Sequence, residues 1–484
     1  MAEVVILGAG VSGHTAALHL RRLLGKEHKV TVVSPNSQWN WIPSNIWVGV
    51  GEMAKKDVVF PLAPVYARQG IEFRQAAATA VWPDGDRDDS RGAVDIRYTA
   101  PDRAGTAERI RYDYLINATG PRLRFEATEG MGPDGYTESV CTADHAVEAN
   151  ERLRAVIAVL QTGTPQTLVV GMGHGTCTCE GAAFEYVFNV DHELRGSGVR
   201  ELARLVYLTN EAALGDFGVD GMIFDQNGFQ TTSELWTGSL FRERGVQAIL
   251  GAHVFKVEER TIHYETLDGE RHTLDFDFAM LIPPFGGVPL SAHDADGNDI
   301  TAQLFAPSGF MKVDADYTAK PYEQWRAEDW PTTYAAPGYD NIWAVGIAFA
   351  PPHQISRPRK TANGTPVAPS PPRTGMPSGV MGKTVALTIA DRIKHGSQAV
   401  AHTASMARMG AACVASAGTG LTSGSAAAMT MLPVVPDYER FATGRDERET
   451  RGELGLHGHW VKLMLHYLFL HKAKARLGWQ YIPE

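Results

Sequence analysis

The sequence predicts an α/β fold on three observations. An apolar strand at residues 3–7 runs into Gly8-x-Gly10-x-x-Gly13 and then a helical pattern. A second strand–glycine–helix unit lies at residues 167–175, and a run at residues 460–476 is apolar nearly all round before it turns basic. Together they imply two Rossmann-like dinucleotide-binding domains in tandem plus a C-terminal amphipathic membrane-association helical region. The chain has 484 residues, 44% hydrophobic and 21% charged, the balance of a globular protein of about three folding units. Its 45 Lys and Arg against 55 Asp and Glu leave a formal charge of −10, the wrong sign for phosphate backbones, so no nucleic acid is expected as a partner. No cleaved export signal is expected, since no basic segment, apolar run and small-residue cleavage site is visible ahead of the first strand.

The first glycines are needed because a side chain would block the tight turn, the approach of a pyrophosphate to the backbone, and the packing of helix on sheet. Residues 29–33 supply the next strand, which runs into Ser34-Pro35 instead of ending in the acid that accepts a ribose hydroxyl. Residues 84–109, rich in Asp, Arg and Gly, read as an exposed hairpin loop. The strand at 112–117 ends in the small turn Ala118-Thr119-Gly120, the kind of segment that lies against FAD in flavoproteins with two nucleotide domains. In the second unit the loop carries Cys177 and Cys179 where a helix should start, and the next strand, 203–209, leads to Asn210 and Glu211 as ribose acceptors. We read it as a nucleotide-binding domain reused for thiol chemistry. The expected boundaries are 1–160 for the first part of the FAD-binding domain, 161–285 for the second Rossmann-like domain, 286–400 for the return to the first, and 401–484 for a C-terminal redox-cysteine and membrane-association region. Residues 356–372 read as a loop, and the Ala, Gly, Ser and Thr stretch 405–431 carries no element signal.

Four cysteines, Cys141, Cys177, Cys179 and Cys413, are too few for a disulfide framework and too scattered for a zinc ribbon. If they act, they act as reactive sulfur. A helix amino terminus lowers a thiol pKa, which suits Cys177 and Cys179.

Several further segments occur in order with these: Trp41-Ile-Pro-Ser-Asn45, Trp47-Val-Gly-Val-Gly51, Cys179-Glu-Gly-Ala-Ala-Phe-Glu185, Thr209-Asn-Glu-Ala-Ala-Leu-Gly215, Ile282-Pro-Pro-Phe-Gly286, Asn341-Ile-Trp-Ala-Val-Gly346 and Pro372-Arg-Thr-Gly375. Over nearly its full length the chain resembles the sulfide:quinone oxidoreductase family, close to the flavoprotein subunit of flavocytochrome c sulfide dehydrogenases. The resemblance implies an FAD enzyme that oxidises hydrogen sulfide at a cysteine pair to zero-valent sulfur or polysulfide and reduces a membrane quinone, ubiquinone or menaquinone. It implies Cys179 and Cys413 as the redox bridge, with Cys177, extra to the family pattern, competing for that place. Cys141, followed four residues on by His145, either handles sulfur or links to the flavin. His145 and Glu185 are the expected proton carriers. The resemblance assigns the cofactor to Gly8, Gly10, Gly13, Ser34, Pro43, Thr119, Gly120, Gly346 and Ile347, and the quinone to Ile347, Arg373 and Met376. Asp216 stands where other members carry histidine, and Arg373 where lysine is usual. A homo-oligomer is expected.

The apolar core of the C-terminal run, residues 461–470, is interrupted by Lys462 and His466 and falls far short of the roughly 20 residues a bilayer span needs. Lys462, Lys472, Lys474 and Arg476 make this end basic, and Trp460, Tyr467, Trp479 and Tyr481 suit a lipid interface. The expectation is a peripheral protein of the cytoplasmic membrane, on either face. His457, His459, His466 and His471 are expected to titrate at the lipid surface, and no metal is expected because no cysteine or carboxylate cluster accompanies them. The alternatives are a type II NADH:quinone oxidoreductase, which should lack Cys177 and Cys179 in its second glycine loop, a flavocytochrome c subunit, and a non-enzymatic flavin or sulfur sensor.

Overall fold

The structure, a computed structural model, describes residues 1–226, 228–373 and 375–484. Thr374, inside the Pro372-Arg-Thr-Gly375 motif, lies outside the described residues. In chain order come β1 (Glu3–Leu7), α1 (Val11–Leu23), β2 (Lys29–Ser34), β3 (Glu72–Trp82), β4 (Tyr114–Asn117) and α2 (Ala143–Gln161). There follow β5 (Gln166–Met172), α3 (Glu180–Gly196), β6 (Ala203–Leu208), β7 (Gln247–Ile249), β8 (Phe278–Ile282), β9 (Ile342–Ala344) and α4 (Gly375–His395). Last are β10 (Ala411–Ala417), β11 (Ser425–Met431), β12 (Arg451–Leu454) and α5 (Leu456–Ala473).

The fold is mixed α/β. The first sheet has the parallel order β9-β4-β1-β2-β3. A strand covered on both faces must be apolar throughout, which is why Val4, Val5, Ile6 and Leu7 run without a polar break and are all buried. The second sheet is parallel, β7-β6-β5-β8. The third, β10-β11-β12, is antiparallel.

Two expectations are corrected here. Residues 84–109, expected as an exposed hairpin loop, are antiparallel but not exposed throughout: Ala93–Tyr98 pairs with β3, and Val94, Ile96 and Tyr98 are buried while Arg97 points out. That alternation is a strand signal, masked in the sequence by the charged residues around it. The unassigned stretch 405–431 supplies β10 and β11. Their alanines have a packing reason, since α5 lies on them so closely that a Cβ at Gly458 would meet the Ala428 methyl at 3.2 Å and the Ala426 methyl at 3.3 Å.

No helix among the described residues is long and apolar enough to cross a membrane. α5 is inverted relative to an ordinary surface helix: His459, Lys462, His466 and Lys472 face inward, while Trp460, Met464, Tyr467 and Leu468 are exposed. His459 and His466 therefore do not titrate at a lipid surface. His459 is hydrogen-bonded to the Ser416 hydroxyl at 2.6 Å and to the Gly420 carbonyl at 2.9 Å, and His466 to the Ser44 hydroxyl at 2.8 Å. Burial pulls His466 down to about 4. Trp479, expected at the interface, is buried against His19.

Candidate active site

The first glycine turn is tight beneath and open above. A Cβ on Gly8, whose φ is +98°, would lie 2.1 Å from the Ala118 carbonyl oxygen, and one on Gly13 would lie 2.1 Å from the Gly8 carbonyl oxygen. Nothing lies within 4 Å of a Cβ built on Gly10, the residue that precedes α1. Free N–H groups at a helix start, beside a glycine with space over it, fit the pyrophosphate of FAD. Gly346 (φ +66°) brings a third segment in, since its Cβ would fall 2.2 Å from Ser12 Oγ on α1. Thr119 and Gly120 follow β4, whose last residue pairs with Leu7 of β1. Ser34 ends β2, buried. Pro43 lies in a short turn whose carbonyl accepts from Lys462 Nζ at 3.0 Å.

Cys179 immediately precedes α3 and is held at φ 77° and ψ 37°. This left-handed conformation is strained for a residue with a side chain, costing about 1–3 kcal/mol. Cys413, from β10, reaches the first turn of the same helix. A Cβ at Gly181 would be only 2.5 Å from Cys413 Sγ, so a glycine there is what lets the two distant segments meet. Cys141 precedes α2, and a charge on it would reach both Cys177 and Cys179. Cys177 is fully buried and donates its S–H to the Ile282 carbonyl at 3.1 Å. All four thiols are free.

The expected lowering of the thiol pKa is not found. Burial pushes Cys179 and Cys413 up to about 12 and Cys141 to about 11; at Cys179 the neighbouring Glu180 adds to the shift and the Arg373 charge opposes it without cancelling it.

Glu185 is buried as well. Lys462 Nζ donates to it at 3.0 Å and the Ser416 N–H at 3.2 Å, yet burial still raises its pKa. His145 Nδ1 is buried without a hydrogen-bond partner, and its ring meets Phe125 edge-on at 5.9 Å.

Arg373 is buried. Its Nη1 donates to the Phe349 carbonyl at 2.5 Å and the Ile347 carbonyl at 3.3 Å, and its guanidinium lies 4.6 Å from the centre of the Phe310 ring. Burial lowers it to about 10 while the Cys179 side raises it. It therefore anchors the turn at 346–348. Ile347 and Met376 are both half-buried.

The second glycine loop is filled with protein. Cβ atoms on Gly171, Gly173 and Gly175 would meet Leu208 O at 1.8 Å, Met131 Sδ at 2.0 Å and Pro366 O at 2.4 Å. Residues 366–370 strap it down: the Ala368 N–H donates to the Gly175 carbonyl at 2.8 Å, the Ser370 N–H to the Cys177 carbonyl at 2.9 Å, and Ser370 Oγ to the Thr176 carbonyl at 2.9 Å. Glu211 does not await a ribose. Its carboxylate accepts from Thr209 Oγ1 at 2.8 Å, Tyr207 OH at 3.1 Å and the Phe217 N–H at 2.8 Å, and burial raises it to about 7.

Two buried residues escaped sequence reasoning. Glu180 opens α3, where an acid reads as an ordinary partner of the helix dipole. The sequence pattern assigns Lys462 to a basic surface; its place inside an apolar run is the available signal.

Residues 2–291 match the family described as pyridine nucleotide-disulphide oxidoreductase. The sulfide-quinone reductase of Aquifex aeolicus is 28% identical over 474 residues, spanning 98% of this chain and 91% of that protein. The mitochondrial sulfide:quinone oxidoreductase of Mus musculus is 25% identical over 294 residues, 58% of this chain and 56% of that protein. Among solved structures, the X-ray structure of the sulfide:quinone oxidoreductase from A. aeolicus superposes with a TM-score of 0.76 at 26% identity, covering 98% of this chain and 92% of that one. NDH2 from Plasmodium falciparum, solved with NADH, shares the fold at a TM-score of 0.64 and 12% identity, with coverage of 99% and 97%.

Proposed function

The chain belongs to the pyridine nucleotide-disulphide oxidoreductase family, and from that premise we propose that it is a sulfide:quinone oxidoreductase with Cys179 and Cys413 as its redox pair. The observation that carries the reading is Cys413 lying against the first turn of α3, beside Cys179. Hydrosulfide attacks a sulfur of the oxidised pair, releasing one thiolate and leaving the other cysteine as a persulfide. The charge of Arg373 favours the thiolate at Cys179. When bound, FAD supplies the two-electron transfer from the sulfur side to the quinone. Gly8, Gly10, Gly13 and Gly346 would hold it. Cys177, with its S–H engaged by Ile282, is the weaker candidate for the bridge.

The NADH alternative is disfavoured by the strap at 366–370, which closes over the second glycine loop, and by the buried Glu180 and Glu211, acids that repel a second pyrophosphate. We read the two parallel sheets as tandem nucleotide-type domains, the second closed in this way.

Contact with a lipid surface is supported by the exposed stripe of α5 and by Arg68, Lys474 and Arg476. Among the described residues none of these three cations has a carboxylate within ion-pair distance, and all three line a surface pocket with Phe60, Pro64 and Leu477. The reading is a peripheral protein of the cytoplasmic membrane.

The test is anaerobic. Sulfide should bleach the flavin absorbance, NADH should not, and a soluble quinone should restore the colour. Cys179→Ser and Cys413→Ser should each retain FAD and lose sulfide bleaching. Full bleaching in either variant would sink the assignment of the pair.

A further inference from the structure

Glu180 is the first residue of α3, directly after Cys179. It is completely buried, and neither of its carboxyl oxygens has a hydrogen-bond partner. Two further acids converge with it on residues 216–218. Glu211 accepts the Phe217 N–H at 2.8 Å, Asp216 accepts the Gly218 N–H at 2.9 Å, and Glu180 Oε2 lies 3.2 Å from where a Gly218 Cβ would be. Asp216 also accepts from Ser356 Oγ, which in turn accepts the N–H of the exposed Asp220 at 3.1 Å. The three carboxyl groups thus run from the cysteine loop toward the surface.

The groups facing them are Cys177 and Cys179 from the loop, Cys413 near Glu211, Tyr207 and Asn210 from β6 and its end, Tyr322 near Asp216, Arg373 on the Cys179 side and Arg445 near Asp216 and Asp220. Among the described residues neither arginine is within ion-pair distance of Glu180, Glu211 or Asp216. Glu180, buried without a cation or a hydrogen-bond donor, is too costly to keep ionised, and burial raises Glu211 and Asp216 despite their donors, so this group stores protons.

We propose that Glu180 is the proton carrier of the cysteine site, taking a proton from the sulfur side while it hands its own to Glu211 and Asp216, and so to solvent at Asp220. The proposal rests on the sulfide reading. Oxidising sulfide to zero-valent sulfur sends two electrons toward the quinone and frees its protons among buried thiols, from which they must leave. In each hand-over an S–H bond breaks and an O–H bond forms on Glu180, while the Glu180 proton moves to a neighbouring carboxylate; no electrons move. Glu211, raised to about 7, is the member with a vacancy near neutral pH.

Two measurements on the holoenzyme test this. Hydrogen sulfide itself ionises near neutral pH, so rates are referred to the hydrosulfide present at each pH; on that basis wild-type flavin bleaching should still accelerate with pH through about 7, following Glu211. Glu180→Gln should keep its FAD, bleach about a hundredfold more slowly near neutral pH, the low end of what a placed proton carrier contributes, and lose that pH limb. Infrared spectra of the resting protein should show a protonated buried carboxyl at neutral pH in wild type that E180Q lacks. A wild type without that band, or an E180Q that bleaches at the wild-type rate with the same pH profile, would overturn the relay. A wild type that sulfide does not bleach at any pH would instead overturn the reaction assignment, and the infrared comparison would still decide whether Glu180 holds the proton.

Discussion

Lys462 and Glu185 are both nearly inaccessible, at 8% and 7% side-chain exposure, and meet at 3.0 Å between α5 and α3. Removing one partner of such a pair leaves an uncompensated charge in the interior, at about 3–5 kcal/mol. Lys462→Met should therefore lower the urea midpoint strongly, while Lys462→Met with Glu185→Gln should recover most of the loss; equal midpoints for the two would contradict the ion pair. At this scale the sequence was only partly legible. Residue types with built-in chemistry, the cysteines and the first glycines, stood out. Glu180 did not, and the burial of Lys462 and Glu211 was not readable, because burial of a charged side chain is decided by distant segments such as α5 and the 366–370 strap, and nothing local records it.

The first turn of α3 sets two elementary effects against each other. Gly181→Ala would gain at most about 1 kcal/mol of helix propensity, but its methyl would fall 2.5 Å from Cys413 Sγ, deep inside van der Waals contact. Sterics win, and β10 must retreat from the helix. The expected outcome is a variant that binds FAD normally, forms the Cys179–Cys413 link poorly on oxidation, and bleaches slowly with sulfide; peptide mapping of the oxidised protein would check it. Elements with one strong signal, β1, α1, β2 and β5, were readable. The strands at 93–98, 411–417 and 425–431 were not, the first because charged neighbours masked its alternation and the others because alanine carries almost no contrast between an inner and an outer face.

On the scale of the whole molecule, buried histidines tie α5 to the elements around the first sheet. His14 is bonded to the Ala473 carbonyl at 2.7 Å and to the Tyr66 hydroxyl at 2.9 Å, His466 to Ser44, and burial lowers both to about 4. Below about 6.5 the unfolded chain gains protons at these sites that the native molecule refuses, so stability falls as the pH drops from about 6.5 toward 4, by at most about 1.4 kcal/mol per pH unit for each histidine. Urea midpoints across that window should decline, and less steeply in His466→Gln; parallel curves would refute the assignment. The general α/β layout and the inability of residues 460–476 to cross a bilayer were legible from the sequence; the inversion of α5 was not, since a helix apolar nearly all round does not announce which face turns outward. The end of α5 and the tail beyond it rest on α1, whose start is the open glycine turn and whose body holds His14 against Ala473 and His19 against Glu484 at 2.9 Å. Whatever fills the turn at one end of α1 is thereby bolted to the tail at the other, and a protease offered the flavin-free protein should nick the tail before anything else.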